Sequence, residues 1–420
     1  MIKNIINTFF FRSFNAILSF IIVIVTARYL GAEIRGEISL FVLNVTLVFQ
    51  LVSIVSGGGL VYYAPKRSIS SVLGVSFIWS FIASGIGISL LYFTGFVQED
   101  MLSWLVIATL LLSWFYIGMN VIVGFEKIKT FNMLSTIQMV FMTGILLYFI
   151  FYKSDLQFIS WLYAYIISFA IGIVLVKLFI IKLWSRKRKI TFRLRDFVDL
   201  FHYGKWAQLA NITQLLNYRL GYYLLEYFAG KAALGVYSSA VAIAEGVWLI
   251  SKSFAMVVFT RISNTKSQQE SLALAFQYAR ISLYFSTVLM LFLLLIPSLI
   301  YTKIFGPEFE AIKPILFLLS PGVLIFSLTT VYAHYFSGTA RPRISSNSSI
   351  IGLVVTFVVG LVLIPKLEKT GVAITASLSF ISSGIYLINM MLKEPNAKLK
   401  YLLPSKSDKD KIRKFLKMSS

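Results

Sequence analysis

Residues 28–36 read Arg-Tyr-Leu-Gly-Ala-Glu-Ile-Arg-Gly, and residues 227–235 read Tyr-Phe-Ala-Gly-Lys-Ala-Ala-Leu-Gly. In each stretch a long apolar run stops at a Gly, a second Gly follows five residues on, and another long apolar run begins. The offset is 199 residues. Such an echo is the mark of a duplicated membrane-spanning half, an architecture that places a transport site between its copies.

The composition agrees. Of 420 residues, 58% are hydrophobic and 13% charged, against about 25% charged in soluble domains. No cysteine is present, which excludes disulfides, thiolate nucleophiles and Cys-based metal sites. Two histidines, His202 and His334, argue against a His-rich metal centre, and no cofactor is implied. The net charge of +22 would suggest nucleic acid in a soluble chain. Here its distribution follows the positive-inside rule instead, so no nucleic-acid partner is expected. No signal-peptide cleavage site follows the first apolar run.

Runs of roughly 20 apolar residues predict about twelve spans. The first six cover roughly 9–30, 38–62, 72–97, 101–123, 133–152 and 158–184. The second six cover roughly 205–229, 232–258, 273–305, 311–337, 344–364 and 370–392. With both termini cytoplasmic, the internal segments hold Lys66, Arg67, Lys127, Lys129, the run 186–189, Arg261, Arg341, Arg343 and the basic tail. The external loops are short. The echo persists at Gly124 and Gly338, and at Gly95 and Gly306. The fold class read from this is an all-α polytopic membrane protein. It has two six-helix bundles in a parallel 6+6 repeat around a central cavity: residues 1–184, a basic cytoplasmic linker 185–204, residues 205–393, and a basic cytoplasmic tail 394–420. The linker carries Phe197, Val198, Leu200 and Phe201 and reads as an interfacial helix on anionic lipid, with a plain tether as the other reading. The tail has the same character.

A charge at mid-bilayer costs roughly 2.5–3.5 kcal/mol, so it must be paired or line a wet cavity. Lys177 and Arg280 sit where they can snorkel or serve structure. Arg12, near the inner end of span one, and Arg219, near the middle of span seven, either face a cavity or are structural. Span seven carries Gln208, Asn211, Gln214, Tyr218 and Tyr222 on one helical face. That face is either hydrogen-bonding glue between helices or the wall of a hydrated vestibule. Glu226 and Glu245 are either an ion or proton site or internal partners, Glu226 for Arg219 and Glu245 for Lys252. Asn15 adds an amide to the first span.

The stretch ARYLGAEIRGEISL (27–40), with a second span running on to GGGLVYYAPK (57–66), resembles the polysaccharide-exporter family. That family includes O-antigen and oligosaccharide flippases and belongs to the multidrug/oligosaccharidyl-lipid/polysaccharide exporter superfamily. The resemblance covers most of the chain. It implies two bundles around a cavity lined largely by spans one, two, seven and eight. It also implies passage of an undecaprenyl-diphosphate-linked oligosaccharide, an O-antigen, capsule or related unit, from inner to outer leaflet by alternating access. Arg12, Arg219 and Lys252 would then supply a positive field for the diphosphate. Asn15, Gln208, Asn211, Gln214, Tyr218 and Tyr222 would line the same cavity. The setting implied is a bacterial inner membrane, with a glycan polymerase as a pathway partner.

A drug or cation antiporter of the same superfamily is the nearest rival, but a carboxylate within the first-half spans, common in such exporters, is not expected here. A peptidoglycan-precursor flippase typically has two more spans. A major-facilitator transporter would carry an Asp-Arg-x-Gly-Arg-type motif where this chain has Ala64-Pro65-Lys66-Arg67-Ser68. A polymerase or glycosyltransferase would need a large external loop, so no enzymatic role is expected.

Overall fold

A computed structural model describes residues 2–183, 192–262, 265, 267–397 and 401. The basic run 186–189 and most of the tail beyond 397 lie outside the described residues. Among the described residues every regular element is helical. In chain order these are α1 (Ile2–Val25), α2 (Gly31–Ser56), α3 (Gly58–Tyr63), α4 (Ile69–Phe93), α5 (Leu102–Gly124), α6 (Ile128–Phe151) and α7 (Phe158–Leu183). They continue with α8 (Leu194–Ile262), α9 (Gln268–Leu295), α10 (Ser298–Phe305), α11 (Ile312–Gly338) and α12 (Pro342–Leu392). Among the described residues, nine helical stretches are long and apolar enough to cross a membrane. Three of them hold two spans each, folded at Gly31, Gly230 and Glu368, so the described chain carries twelve spans. The protein is a multi-pass membrane protein.

The opening Gly pair acquires a physical meaning. Gly31 has φ 83° and ψ 173°, and Gly230 has φ 81° and ψ 174°. This region of the backbone map is open essentially to glycine alone. The turn after spans one and seven is therefore a single residue. The second glycines, Gly36 and Gly235, are helical and buried. This corrects the expected start of span two at residue 38, because α2 begins at Gly31 and carries Glu33 and Glu37 on its first turns, where carboxylates suit the helix dipole.

Other backbone features repeat with it. Left-handed residues fall at Gly95 and Gly306, at Glu126 and Ala340, and at Ser154 and Glu368. The ends of α5 and α11 match bond for bond. Lys127 N–H donates to Ile122 O at 3.1 Å and Glu126 N–H to Val123 O at 2.8 Å. In the second half Arg341 N–H donates to Phe336 O at 2.8 Å and Ala340 N–H to Ser337 O at 3.2 Å. Both are Schellman endings with a left-handed C′ residue, and every atom pair is displaced by 214 positions. One expected span is corrected here: residues 273–305 are not one helix. Pro297 forces Ile296 out of the helical region, to ψ 127°, and α9 ends at Leu295.

The chain divides into two compact units, Met1–Ile212 and Thr213–Ser420. In the first, α6 packs on α1 and α7, and α5 packs on α2, α4 and α7. Apolar burial alone does not hold helices together in lipid, so interhelical hydrogen bonds and close packing must contribute. Gln138 Nε2 donates to Ser168 Oγ at 3.1 Å, and Asn120 Nδ2 to Ser56 O at 2.7 Å. In the second unit α11 packs on α9 and α12. Asn217, 6% exposed, accepts from Ser379 Oγ at 2.9 Å, in a place left open by the missing side chain of Gly352.

In each unit an arginine from a loop between two spans also ties down the segment that follows the last span. In the first, Arg67 binds Asp196 and Asp199 at the start of α8. In the second, Arg341 reaches Glu394 at 2.6 and 3.0 Å, and Tyr335 Oη donates to the same carboxylate at 3.0 Å. Burial of Glu394 opposes its charge, but the bonds from Arg341 and Tyr335 outweigh this and hold its carboxyl below the usual range. Arg280 donates to the carbonyl of Tyr401, the structural role open to it from sequence.

The linker helix is not separate from span seven. α8 runs on from Leu194 without a break until Gly230, and its first part belongs to the first unit. Leu200 is buried, and Phe197 and Phe201 lie 5.5 and 5.8 Å from the Trp79 ring. Gly204 sits against Ile54 O so closely that a Cβ there would lie 1.9 Å from it. Val198, Leu194 and Trp206 stay exposed. One face is docked on protein and the other is left exposed and apolar.

Candidate functional site

The fold at Gly230 makes a hairpin of the two α8 arms. Arg219 lies eleven residues before the turn and Glu245 fifteen after, and their side chains meet. Arg219 Nη2 donates to Glu245 Oε1 at 2.5 Å, and Nη1 donates to Tyr222 Oη at 2.7 Å. The guanidinium also lies 4.8 Å over the Tyr222 ring. This corrects two expected pairings. Glu226 does not hold Arg219, because seven residues along a helix is about 10 Å of axial rise, whereas the neighbouring arm is within one side chain's reach. Lys252 does not hold Glu245; its Nζ lies 5.9 Å over Trp248. The pair is semi-exposed, with side chains 23% and 33% accessible.

Around it stands an aromatic cluster. Tyr218 contacts Trp248, Phe326 and Phe380 at 5.6–6.0 Å between ring centroids, and Gln214 Nε2 donates to Tyr218 Oη at 2.6 Å. Trp248 Nε1–H is buried without a hydrogen-bond partner. A small cavity opens between Tyr218, Arg219, Tyr237, Trp248, Val323 and Phe380. Arg219 and the phenols of Tyr218 and Tyr237 line this recess in the second unit, and Glu245 stands beside it as the partner of Arg219. The arrangement can hold a small polar group or exchange its carboxylate for another anion.

Of the residues named from sequence, Gln214, Tyr218, Arg219, Tyr222, Glu245 and, through Trp248, Lys252 come together. Glu226 stands apart, half-buried one helical turn beyond Tyr222. Arg12, Asn15, Gln208 and Asn211 belong to the first unit. Arg12 is exposed. Asn15 Nδ2 donates to Ser135 Oγ at 3.4 Å, and its Oδ1 is buried without a bond. Asn211 Nδ2 donates to Gln208 Oε1 at 3.0 Å. The polar stripe of span seven therefore divides at the unit boundary. Sequence reading missed Tyr237, Trp248, Phe326 and Phe380. The signal for Trp248 was its place one turn beyond Glu245 on the same arm.

The ion pair has no counterpart at the equivalent positions of the first half. At the 199-residue offset, Arg219 and Glu245 correspond to Phe20 and Thr46.

A duplicated, twelve-span helical membrane protein with a charge pair in its second half is the class the fold and site define. The chain belongs to the family described as polysaccharide biosynthesis protein, which it matches over residues 41–314. Its fold is that of a lipid II flippase, MurJ, in an inward closed conformation, at a TM-score of 0.72, 14% identity, and coverage of 96% of this chain and 90% of that one. It is equally that of an inward-facing multidrug resistance MATE transporter of the MOP superfamily, at 0.70, 14%, 97% and 96%. An uncharacterised membrane protein of Methanocaldococcus jannaschii, MJ1068, is 25% identical over 224 residues. The match spans 52% of this chain and 44% of that relative's length.

Proposed function

We propose that the protein is a flippase that carries a polyprenyl-diphosphate-linked oligosaccharide from the inner to the outer leaflet of a bacterial inner membrane. The observation that carries the reading is Arg219, a guanidinium within a span, held by Glu245 in a semi-exposed recess. An ionised diphosphate cannot enter hydrocarbon unaided, because burying an isolated charge costs tens of kcal/mol in the Born limit. A guanidinium that exchanges one carboxylate for a phosphate removes that barrier, since Arg binds both by the same bidentate geometry. Lys252 adds positive charge nearby, and Tyr218 and Tyr222 offer hydroxyls to sugar. Family membership supports a glycan-bearing substrate.

In this reading residues 1–184 and 205–393 are the two halves that alternate access. The linker 185–204 and the tail 394–420 lie on anionic lipid at the cytoplasmic face, where both termini sit. A polymerase of the same glycan would consume the product. Arg12 and Asn15 serve the first half of the path, and Gln208 and Asn211 the approach to it.

Antiport of a cation is the second reading. Glu245 beside an aromatic cluster favours it, because aromatic faces and a carboxylate also suit an organic cation. Proteoliposomes loaded to report both activities separate the two. Wild-type protein is expected to flip a labelled polyprenyl-diphosphate oligosaccharide and to leave cationic dyes in place; dye efflux without flipping contradicts the proposal.

A further inference from the structure

Outside the Arg219 recess, the first unit carries an exposed group of rings and cations with no part in that site. Its origin is local. The run Gly57-Gly58-Gly59 breaks α2 from α3, and the short α3 delivers Tyr62 and Tyr63 side by side. The docking of α8 through Leu200 and Gly204 brings Tyr203 onto them. Tyr62 and Tyr203 stack with centroids 5.3 Å apart and planes 15° from parallel. Tyr63 stands edge-on to both, at 4.9 and 6.1 Å. Lys66 Nζ lies 3.1 Å from the Tyr62 ring centroid.

Two features separate this group from an ordinary belt of interfacial tyrosines. First, the rings are fixed by one another across two chain segments, so their exposed surfaces are preorganised. Tyr62 remains 45% and Tyr203 51% exposed despite the stacking. Second, the charges are sorted. Arg67 is committed to Asp196 and Asp199, whereas Lys66 has no salt bridge among the described residues and its ammonium lies against Tyr62. A cation on an aromatic face beside open tyrosine surface suits a ligand with an anionic group next to a flat, partly apolar polar body. A sugar joined to a phosphate has that form: its C–H face stacks on a ring, its hydroxyls bond to Tyr Oη, and its phosphate meets the ammonium. The exposed apolar face of the same α8 segment, with Leu194, Val198 and Trp206, puts the group at the membrane boundary, where such a headgroup would arrive on a lipid.

We infer that Tyr62, Tyr203 and Lys66 form a docking platform for the phosphate-bearing sugar headgroup of a lipid, separate from the Arg219 recess. The choice of substrate class rests on the flippase reading. Tyr203 supplies the stacking surface, Tyr62 sets its angle, and Lys66 takes the phosphate.

Binding to the full-length protein in phosphatidylcholine nanodiscs tests this, with farnesyl-diphosphate-linked disaccharide and sugar-free farnesyl diphosphate as probes. Tyr203→Ala is expected to weaken the sugar-bearing probe about five- to tenfold and leave the sugar-free probe unchanged. Lys66→Gln is expected to weaken both, and Tyr203→Trp to restore the first. Wild-type affinity in both Tyr203→Ala and Lys66→Gln overturns the platform. So does equal loss of both probes in Tyr203→Ala, which marks a structural anchor, or full displacement of the probe by phosphatidylglycerol, which marks a general anionic-lipid site. If wild type binds and only Arg219→Ala weakens it, the flippase reading stands without the platform. If wild type binds neither probe, both fall.

Discussion

A guanidinium inside a span is tolerated only with a carboxylate partner or with water, and Arg219 has the first of these in Glu245. In the proposed function the Arg219–Glu245 pair is close to neutral without substrate, and the Arg219 guanidinium is freed when a phosphate displaces Glu245. Arg219→Ala should therefore lower flipping about tenfold or more, matching the roughly 1.5–3 kcal/mol of a hydrogen bond to a charged group. Glu245→Gln leaves Arg219 unmatched; it should tighten binding of the diphosphate probe and slow turnover, which equilibrium binding and single-turnover flipping read separately. A second residue-scale test concerns Glu394. Its carboxyl is held below its ordinary value, so the clasp with Arg341 stabilises fully above about pH 5 and is lost as pH falls through the lowered value. Thermal unfolding in detergent should show Glu394→Gln destabilised by about 1–2 kcal/mol at pH 7, with the difference from wild type closing below about pH 4. A difference that persists at low pH contradicts the assignment. Arg219 was legible in the sequence as a mid-span charge. Its partner was not, because the pairing spans 26 positions and depends on where the hairpin turns.

At the scale of the element, the turn is one residue, and its geometry excludes a side chain. Gly31→Ala and Gly230→Ala should each destabilise the protein by about 1–3 kcal/mol, the strain of a non-glycine residue in that region; circular-dichroism melts measure it, and an unchanged midpoint in either variant contradicts the turn. Gly204→Ala acts through contact, since its Cβ would lie 1.9 Å from Ile54 O. It should lift the start of α8 from the first unit, raise protease cleavage near residues 192–206 and loosen the Tyr62–Tyr203 stack. Sequence periodicity marked the spans well because lipid demands long apolar runs. It misplaced the start of α2, since Gly-Ala-Glu-Ile-Arg-Gly reads as a polar loop although it is helical. It also joined α9 to α10, where an apolar run hides the break that Pro297 imposes. Asn217, on the same span, is glue between helices.

At the scale of the whole molecule, the duplication is written in the backbone as well as in the sequence. Four pairs of left-handed residues and two identical helix endings recur between the halves, while the chemistry has diverged: Phe20 and Thr46 stand where the second half has Arg219 and Glu245. The turns at Gly31 and Gly230 and at Gly95 and Gly306 were readable in one sequence because glycine marks them, whereas those at Glu126 and Ala340 and at Ser154 and Glu368 carry no such mark. The asymmetry of charge was readable too, but its geometry was not, because it is made by two arms folding together. In the proposed function this charge pair serves a lipid-linked glycan. Reconstituted flipping of a labelled polyprenyl-diphosphate oligosaccharide, wild type beside Arg219→Ala at matched protein incorporation, tests it most directly. Wild type is expected to transport the probe and the variant to lose about tenfold or more of that activity; equal flipping by both would remove Arg219 from the path.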